Sequence, residues 1–329
     1  MKRTQITIAI LITTFALLIF SCKPLQKNIT AQLIFTQGDV TIIQNDVNKP
    51  TALGATVSPD DVIATGNQSV AVLQIGDGAI AHIGSNSRVV VKSLLETSVN
   101  LYLEKGEVIS KVERLKKGQE YMIKTRSVVA SVRGTQFLVK ADEKIGKVAV
   151  HTGSVSVKPV VVAEKEEVVA QETIVEQGKA AIVTVEETKE IKQPPVEIQE
   201  ISVKDKVKIE MVAKVEVVPI EEVKKPEALE KIQEAIKQNV EKIEKIDAMT
   251  DDEVKKQIKK ERIERLMQQK TRTLEEIKEA CERIDVVKLY SGKEIQGAII
   301  SRENNYKILT TTGVIEVDKK QVRSVSVMR

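Results

Sequence analysis

The sequence predicts a mainly β chain with a helical insert, on three observations. Residues 33–185 alternate apolar and polar positions in short stretches between turns. Residues 227–284 change to a helical period, and residues 285–329 return to alternation. The composition agrees. Among 329 residues there is no tryptophan and aromatics make up only 2%, so the core must come from Val, Ile, Leu and Ala. β-Branched aliphatics of this kind fit a pleated, packed sheet.

The chain opens with "MKRTQITIAILITTFALLIFSC", in which Lys2 and Arg3 precede an apolar run from Ile6 to Phe20. That run has the length of a signal-peptide core and is short for a membrane-spanning helix, which needs roughly 20 residues. It ends at Ser21-Cys22 and resembles a bacterial lipoprotein signal. The resemblance implies that residues 1–21 are removed, that Cys22 is lipid-modified, and that residues 22–32 form a tether. Each buried methylene contributes about 0.8 kcal/mol, so two or more acyl chains suffice as an anchor. The alternative is an uncleaved N-terminal anchor with Cys22 as a bystander. Cys281 is the other cysteine, so a mature lipoprotein would hold one free thiol and no internal disulfide. Its apolar helical position predicts a buried small hydrophobe.

Within residues 33–185, Pro59-Asp60-Asp61, Gly66-Asn67, Gly76-Asp77-Gly78 and Gly84-Ser85-Asn86 punctuate the strands. Tight turns of this kind make most neighbours antiparallel. The blocks "GATVSPDDVIATG", "SVAVLQIGDGAIAHIGSNSRVVV", "LEKGEV", "TRSVVASVRGTQFLV", "TGSVSV" and "VEQGKAAIV" follow one another in order. In that order and spacing the segment from Gly38 to Val185 resembles the FecR domain, which implies a FecR-type all-β sandwich or solenoid. Inside the fourth block, Gly134 can take backbone angles closed to other residues and so make a bulge or bend. On that reading Arg133-Gly134-Thr135 is a corner. The functional alternative is an anionic ligand held by Arg133. No second cation or carboxylate flanks Arg133 closely in sequence, which favours the corner.

Residues 186–226 mix Glu, Lys, Val and Ile with prolines and read as a charged connector, although part of the stretch alternates and could add a strand. From Glu227, residues Leu229, Ile232, Ile236, Val240, Ile243 and Ile246 share one helical face. "TDDE" at Thr250–Glu253 has the capping-box pattern that opens a second helix, carried to Ile284 by Val254, Ile258, Ile263, Leu266, Met267, Leu274, Ile277 and Cys281. Residues 227–284 are therefore expected to form an α-helical hairpin, or a coiled coil with a second copy in a homodimer; heptad positions are satisfied over roughly three or four repeats. Lys255, Lys256, Lys259, Lys260, Arg262 and Arg265 make the second helix basic. This is a solvated face or a contact for anionic headgroups or an acidic partner.

Residues 285–329 carry turns at Ser291-Gly292, Asn304-Asn305, Thr312-Gly313 and Asp318-Lys319. They resemble the small barrel repeat of envelope proteins and, loosely, Sm-like and SH3-like barrels. The expectation is a small Sm/SH3-like β-barrel that leans on the helices, since about 45 residues make a minimal core.

Chemistry is sparse. His82 and His151, the only histidines, fall in predicted strands and read as structural. No nucleophile elbow and no metal-ligand spacing occurs, and "GDGAIAHIG" is a hairpin turn lacking phosphate-loop spacing. No enzyme activity and no cofactor is expected. The formal charge of +4 falls to about +2 without Lys2 and Arg3, which makes no case for nucleic acid. The expected protein is lipid-anchored in the bacterial envelope, faces the periplasm or the cell surface, and binds a protein partner without catalysis. The FecR resemblance also implies an alternative, a sensory accessory docking on an outer-membrane transporter or receptor. FecR proteins proper place an anti-sigma segment before a membrane span, and only five residues precede the apolar run here, so relay to transcription is not expected of this chain alone.

Overall fold

The computed structural model describes residues 27–163, 166–169, 171–184, 195–223 and 225–328. The expected signal segment, residues 1–21, and Cys22 lie outside the described residues. Two compact units divide the chain, Met1–Glu244 and Lys245–Arg329.

The first unit contains strands β1 (Ala31–Gln37), β2 (Val40–Gln44), β3 (Val47–Pro50), β4 (Thr56–Val57), β5 (Val62–Thr65), β6 (Val70–Ile75), β7 (Ala79–Ile83), β8 (Arg88–Leu94) and β9 (Ser98–Val112). They are followed by β10 (Glu120–Lys124), β11 (Val128–Val132), β12 (Gln136–Ala141), β13 (Ile145–Thr152), β14 (Ser154–Ala163), β15 (Glu166–Val169), β16 (Thr173–Glu176), β17 (Lys179–Thr184) and β18 (Val196–Glu200). Helices α1 (Val203–Ala213), α2 (Ile220–Val223) and α3 (Pro226–Asp247) come next, and the boundary between the units falls inside α3.

The strands form two stacked layers. One has the order β4-β1-β6-β7-β9-β12-β13-β17-β18. The other runs β3-β2-β5-β8-β9-β10-β11-β14-β16, with β15 folded back on the far end of β14. Strand β9 belongs to both: its first half pairs in the second layer and its last half in the first. All of these pairings are antiparallel except β9 with β10. The core between the layers is aliphatic, with Leu33, Leu73, Ile83, Leu101, Leu103 and Val139 fully buried. It also takes Tyr121 and Phe137, whose rings meet edge-on at 6.2 Å. Of the sandwich or solenoid expected from sequence, the structure has the sandwich.

The layers differ on their outer faces. The second alternates buried and half-buried residues, as in β10, and faces solvent. The first is buried on both faces, which explains the continuous apolar runs VAVLQI in β6 and AIAHI in β7. Its outward side chains Ile34, Val72 and Ile80 pack against Val215, Val223, Ile236 and Val240. Farther along the same face, Ile109, Leu138, Ala149 and Ala180 pack against Ile209, Val212 and Ile243.

This packing corrects two expectations. The described part of residues 186–226 is not an extended connector: β18 extends the sheet, and α1 and α2 follow. The first predicted helix is present, but Ile236 and Val240 of its apolar face are covered by the β layer and not by a hairpin partner. The reason is area. The outer face of the first layer is itself apolar and needs a cover that a hairpin packed on itself would not supply. The expected tether at residues 22–32 is also shortened, since β1 begins at Ala31 and Asn28 bridges to Leu95.

The second unit holds α4 (Asp251–Gln268), α5 (Leu274–Cys281) and strands β19 (Asp285–Leu289), β20 (Glu294–Ser301), β21 (Asn305–Thr310), β22 (Gly313–Asp318) and β23 (Val322–Val327). The capping box at Thr250 and Glu253 is formed as predicted. The helix expected to run on to Ile284 instead stops at Gln268, because Thr273 and Glu276 make a second capping box that starts α5. Cys281 is buried beside Leu266, Ile277, Ala298 and Leu309. The strands form one antiparallel sheet, β22-β21-β20-β19-β23. β20 is shared between two ladders, pairing with β19 through Glu294–Gly297 and with β21 through Ala298–Ser301, and a 3-10 turn at Lys319–Gln321 joins β22 to β23.

Candidate functional site

Arg133-Gly134-Thr135 is where the chain leaves β11 in one layer and enters β12 in the other. The crossing is tight. Gly134 has φ +142°, and a Cβ there would sit 3.0 Å from the Arg114 Cα. A Cβ on Gly153, at φ +86°, would sit 2.8 Å from the Gly134 carbonyl oxygen. The Thr135 hydroxyl donates to the Ser154 carbonyl at 3.0 Å, and the Thr135 and Val112 backbones exchange a pair of 3.0 Å hydrogen bonds. The corner expected from sequence is therefore real, and glycine is required at both crossings.

The corner also opens a cleft of about 380 Å³, whose wall includes Glu113, Arg114, Arg133, Gln136 and Thr152. The Leu115 amide donates to the Arg133 carbonyl at 2.9 Å, which holds the two arginines on adjacent backbone segments. Arg114 and Arg133 are both exposed, and among the described residues neither guanidinium has an ion pair or a side-chain hydrogen bond. The nearby Glu113 pairs with Lys111 at 3.6 Å. The Thr152 hydroxyl donates to Gln136 Oε1 at 3.2 Å, leaving the Gln136 amide nitrogen as a donor toward the cleft. Arg114, from a distant part of the chain, supplies a cation that the sequence around Arg133 does not show. Only the crossing of the layers brings these two positions together.

The basic residues of α4 lie in the other unit. Lys255 meets Asp252 at 3.4 Å, Lys259 meets Glu282 at 2.7 Å and Lys260 meets Glu264 at 3.9 Å, while Lys256 is exposed. These contacts fit a solvated, locally paired helix face. His82 is buried on β7, and His151 closes β13 with Glu210 3.9 Å away. Burial lowers the His151 pKa below the ordinary histidine value, against the opposing pull of Glu210.

A second polar cluster escaped the sequence reading. Under α1, Glu107 bonds Lys140 at 2.9 Å and also Lys208, while Asp205 bonds Lys140 at 3.1 Å and Lys147. Asp205 and Lys208 are each only 2% exposed. Burial pushes the Glu107 carboxyl up, but the charges and hydrogen bonds of Lys208 and Lys140 outweigh it and leave the pKa below the ordinary value. Burial likewise raises Asp205, and Lys140 and Lys147 bring it below the ordinary value. The cluster fastens α1 to β9, β12 and β13. Its sequence signal was Ser202-x-x-Asp205, an N-cap pattern that the structure forms.

Among the described residues no group of His, Cys, Asp or Glu is placed to hold a metal ion, and no helix is long and apolar enough to cross a membrane.

Residues 61–156 match the family model described as FecR protein, so the chain carries a FecR domain that includes the Arg133 corner and the cleft. The match is shorter than the resemblance seen in sequence. Two crystal structures of a protein from Parabacteroides distasonis ATCC 8503 with a provisional anti-sigma-factor assignment, at 1.65 Å and 2.50 Å resolution, are similar at 18% identity with TM-scores of 0.36 and 0.35. Each similarity covers 46% of this chain and 63% or 62% of the other, so the chain spans about three-fifths of their length. No curated protein matches the chain.

Proposed function

We propose that this chain is a lipid-anchored protein of the bacterial envelope whose FecR domain binds a protein partner without catalysis. The observation that carries the reading is the FecR match over residues 61–156, since FecR proteins are regulatory rather than catalytic. The apolar run ending at Cys22 supplies the anchor in this reading. Lipid labelling with membrane fractionation tests it on wild type and Cys22→Ser. Wild type is expected to take up label and sediment with membranes, and the variant to do neither. Membrane-bound wild type without label would mean an uncleaved apolar anchor instead.

The same FecR match favours a second reading, a sensory accessory that docks on an outer-membrane transporter or receptor. The two readings separate on partner capture. A scaffold retains the same partners with and without iron chelate in the medium, whereas a sensor exchanges them.

A further inference from the structure

We infer that the cleft at the Arg133 corner docks an acidic peptide segment of the partner, with Arg114 and Arg133 gripping a carboxylate of that segment. This rests on the reading of the chain as a protein-binding module and names the chemistry by which it binds.

The first argument is charge left without compensation. Arg114 and Arg133 share one cleft, and among the described residues no carboxylate pairs with either. The one acid in the wall, Glu113, is paired with Lys111. Lys116 and Lys117, two and three residues beyond Arg114, are exposed in the same loop and add to the positive field.

The second argument is preorganisation. Gly134 lies against the Arg114 backbone, Gly153 lies against Gly134, and the Val112–Thr135 and Leu115–Arg133 hydrogen bonds lock the segments together. Both arginines thus stand on a fixed platform, which lowers the ordering cost of binding. The planar guanidinium fork suits a carboxylate held by paired hydrogen bonds.

The third argument selects an acidic peptide over a phosphate. A phosphate dianion brings two negative charges and no N–H donor into a wall that already holds the Glu113 carboxylate. A peptide carboxylate brings one charge, with backbone N–H and C=O groups beside it. Glu113 can accept from such an N–H, and the Gln136 amide nitrogen can donate to such a C=O.

The test uses the full mature chain and an array of peptides carrying Glu or Asp pairs at each spacing, matched by peptides with Gln or Asn in their place. Inorganic phosphate and phosphatidylglycerol vesicles are run beside them. Acidic peptides are expected to bind in preference to their amide matches, and more weakly as salt rises. Arg114→Gln and Arg133→Gln should each weaken binding roughly tenfold, the scale of one lost hydrogen bond to a charged group. Arg133→Lys should fall between, and Lys256→Gln in the other unit should change nothing. Thermal melting confirms that each variant is folded.

Equal binding of acidic and amide peptides overturns the inference. So does Arg-dependent binding of phosphate or vesicles without acidic peptides, or folded arginine variants that bind like wild type. Peptide binding by a chain that takes up no lipid leaves the inference standing and removes the anchor. Partner capture by a labelled chain whose arginine variants capture equally removes the inference alone.

Discussion

Gly153 meets the tightest constraint at the corner. Its φ of +86° is disfavoured for a side chain, and a Cβ would press on the Gly134 carbonyl oxygen and on the Thr135 hydroxyl at 2.9 Å. Gly153→Ala is therefore expected to destabilise the first unit by about 2 kcal/mol, from backbone strain and the clash together. Denaturant unfolding measures it, and an unchanged midpoint would show that the two crossings relax independently. Arg133 is legible from sequence as a conspicuous residue in an apolar strand. Arg114 is not, because "ERLKKG" reads as an ordinary charged turn until β9 and β12 pair.

At the scale of elements, α1 shows how a helix escapes a reading by period. In VKDKVKIEMVA the inward face carries Asp205 and Lys208 beside Ile209 and Val212, so apolar spacing alone does not reveal it. The polar pair is tolerated because it meets Glu107, Lys140 and Lys147 on the sheet. Both carboxyls are held below their ordinary values in the folded chain. Their stabilisation is complete above the unfolded carboxylate pKa of about 4 and is lost as pH falls through the lower folded values. Melting temperature should thus be flat near neutrality and fall on the acid side. Asp205→Asn should cost about 1.5–3 kcal/mol at pH 7, because half-buried Lys147 loses its carboxylate partner and Lys140 is left with Glu107 alone. It should also flatten part of the acid limb, and an acid limb identical to wild type would show that the cluster does not set it. In α3 the sequence shows the apolar stripe correctly but not its partner. Ile236→Ala should destabilise the first unit by about 2–5 kcal/mol in an unfolding titration, since Ile236 is buried among Ile34, Val72 and Ile80.

Over the whole molecule, the two units have cores built from separate residues. Calorimetry is expected to resolve two unfolding transitions. Ile308→Ala, which opens the core of the C-terminal sheet, should lower one of them by about 2–5 kcal/mol and leave the other in place. A single transition that shifts as one would show that the units unfold together.

By itself the sequence determined what is local: the turns that bound the strands, the aliphatic alternation, the Thr250 capping box, the amphipathic stripe of α3 and the glycine at the corner. Each depends on residues within a few positions of one another, where backbone sterics and side-chain period decide. Tertiary structure alone decided what covers what. The outer face of the first β layer takes α1 and α3 as its cover because both surfaces are apolar and water must leave both. Likewise Arg114 stands beside Arg133 because two layers cross at one corner, a proximity that no spacing along the chain encodes.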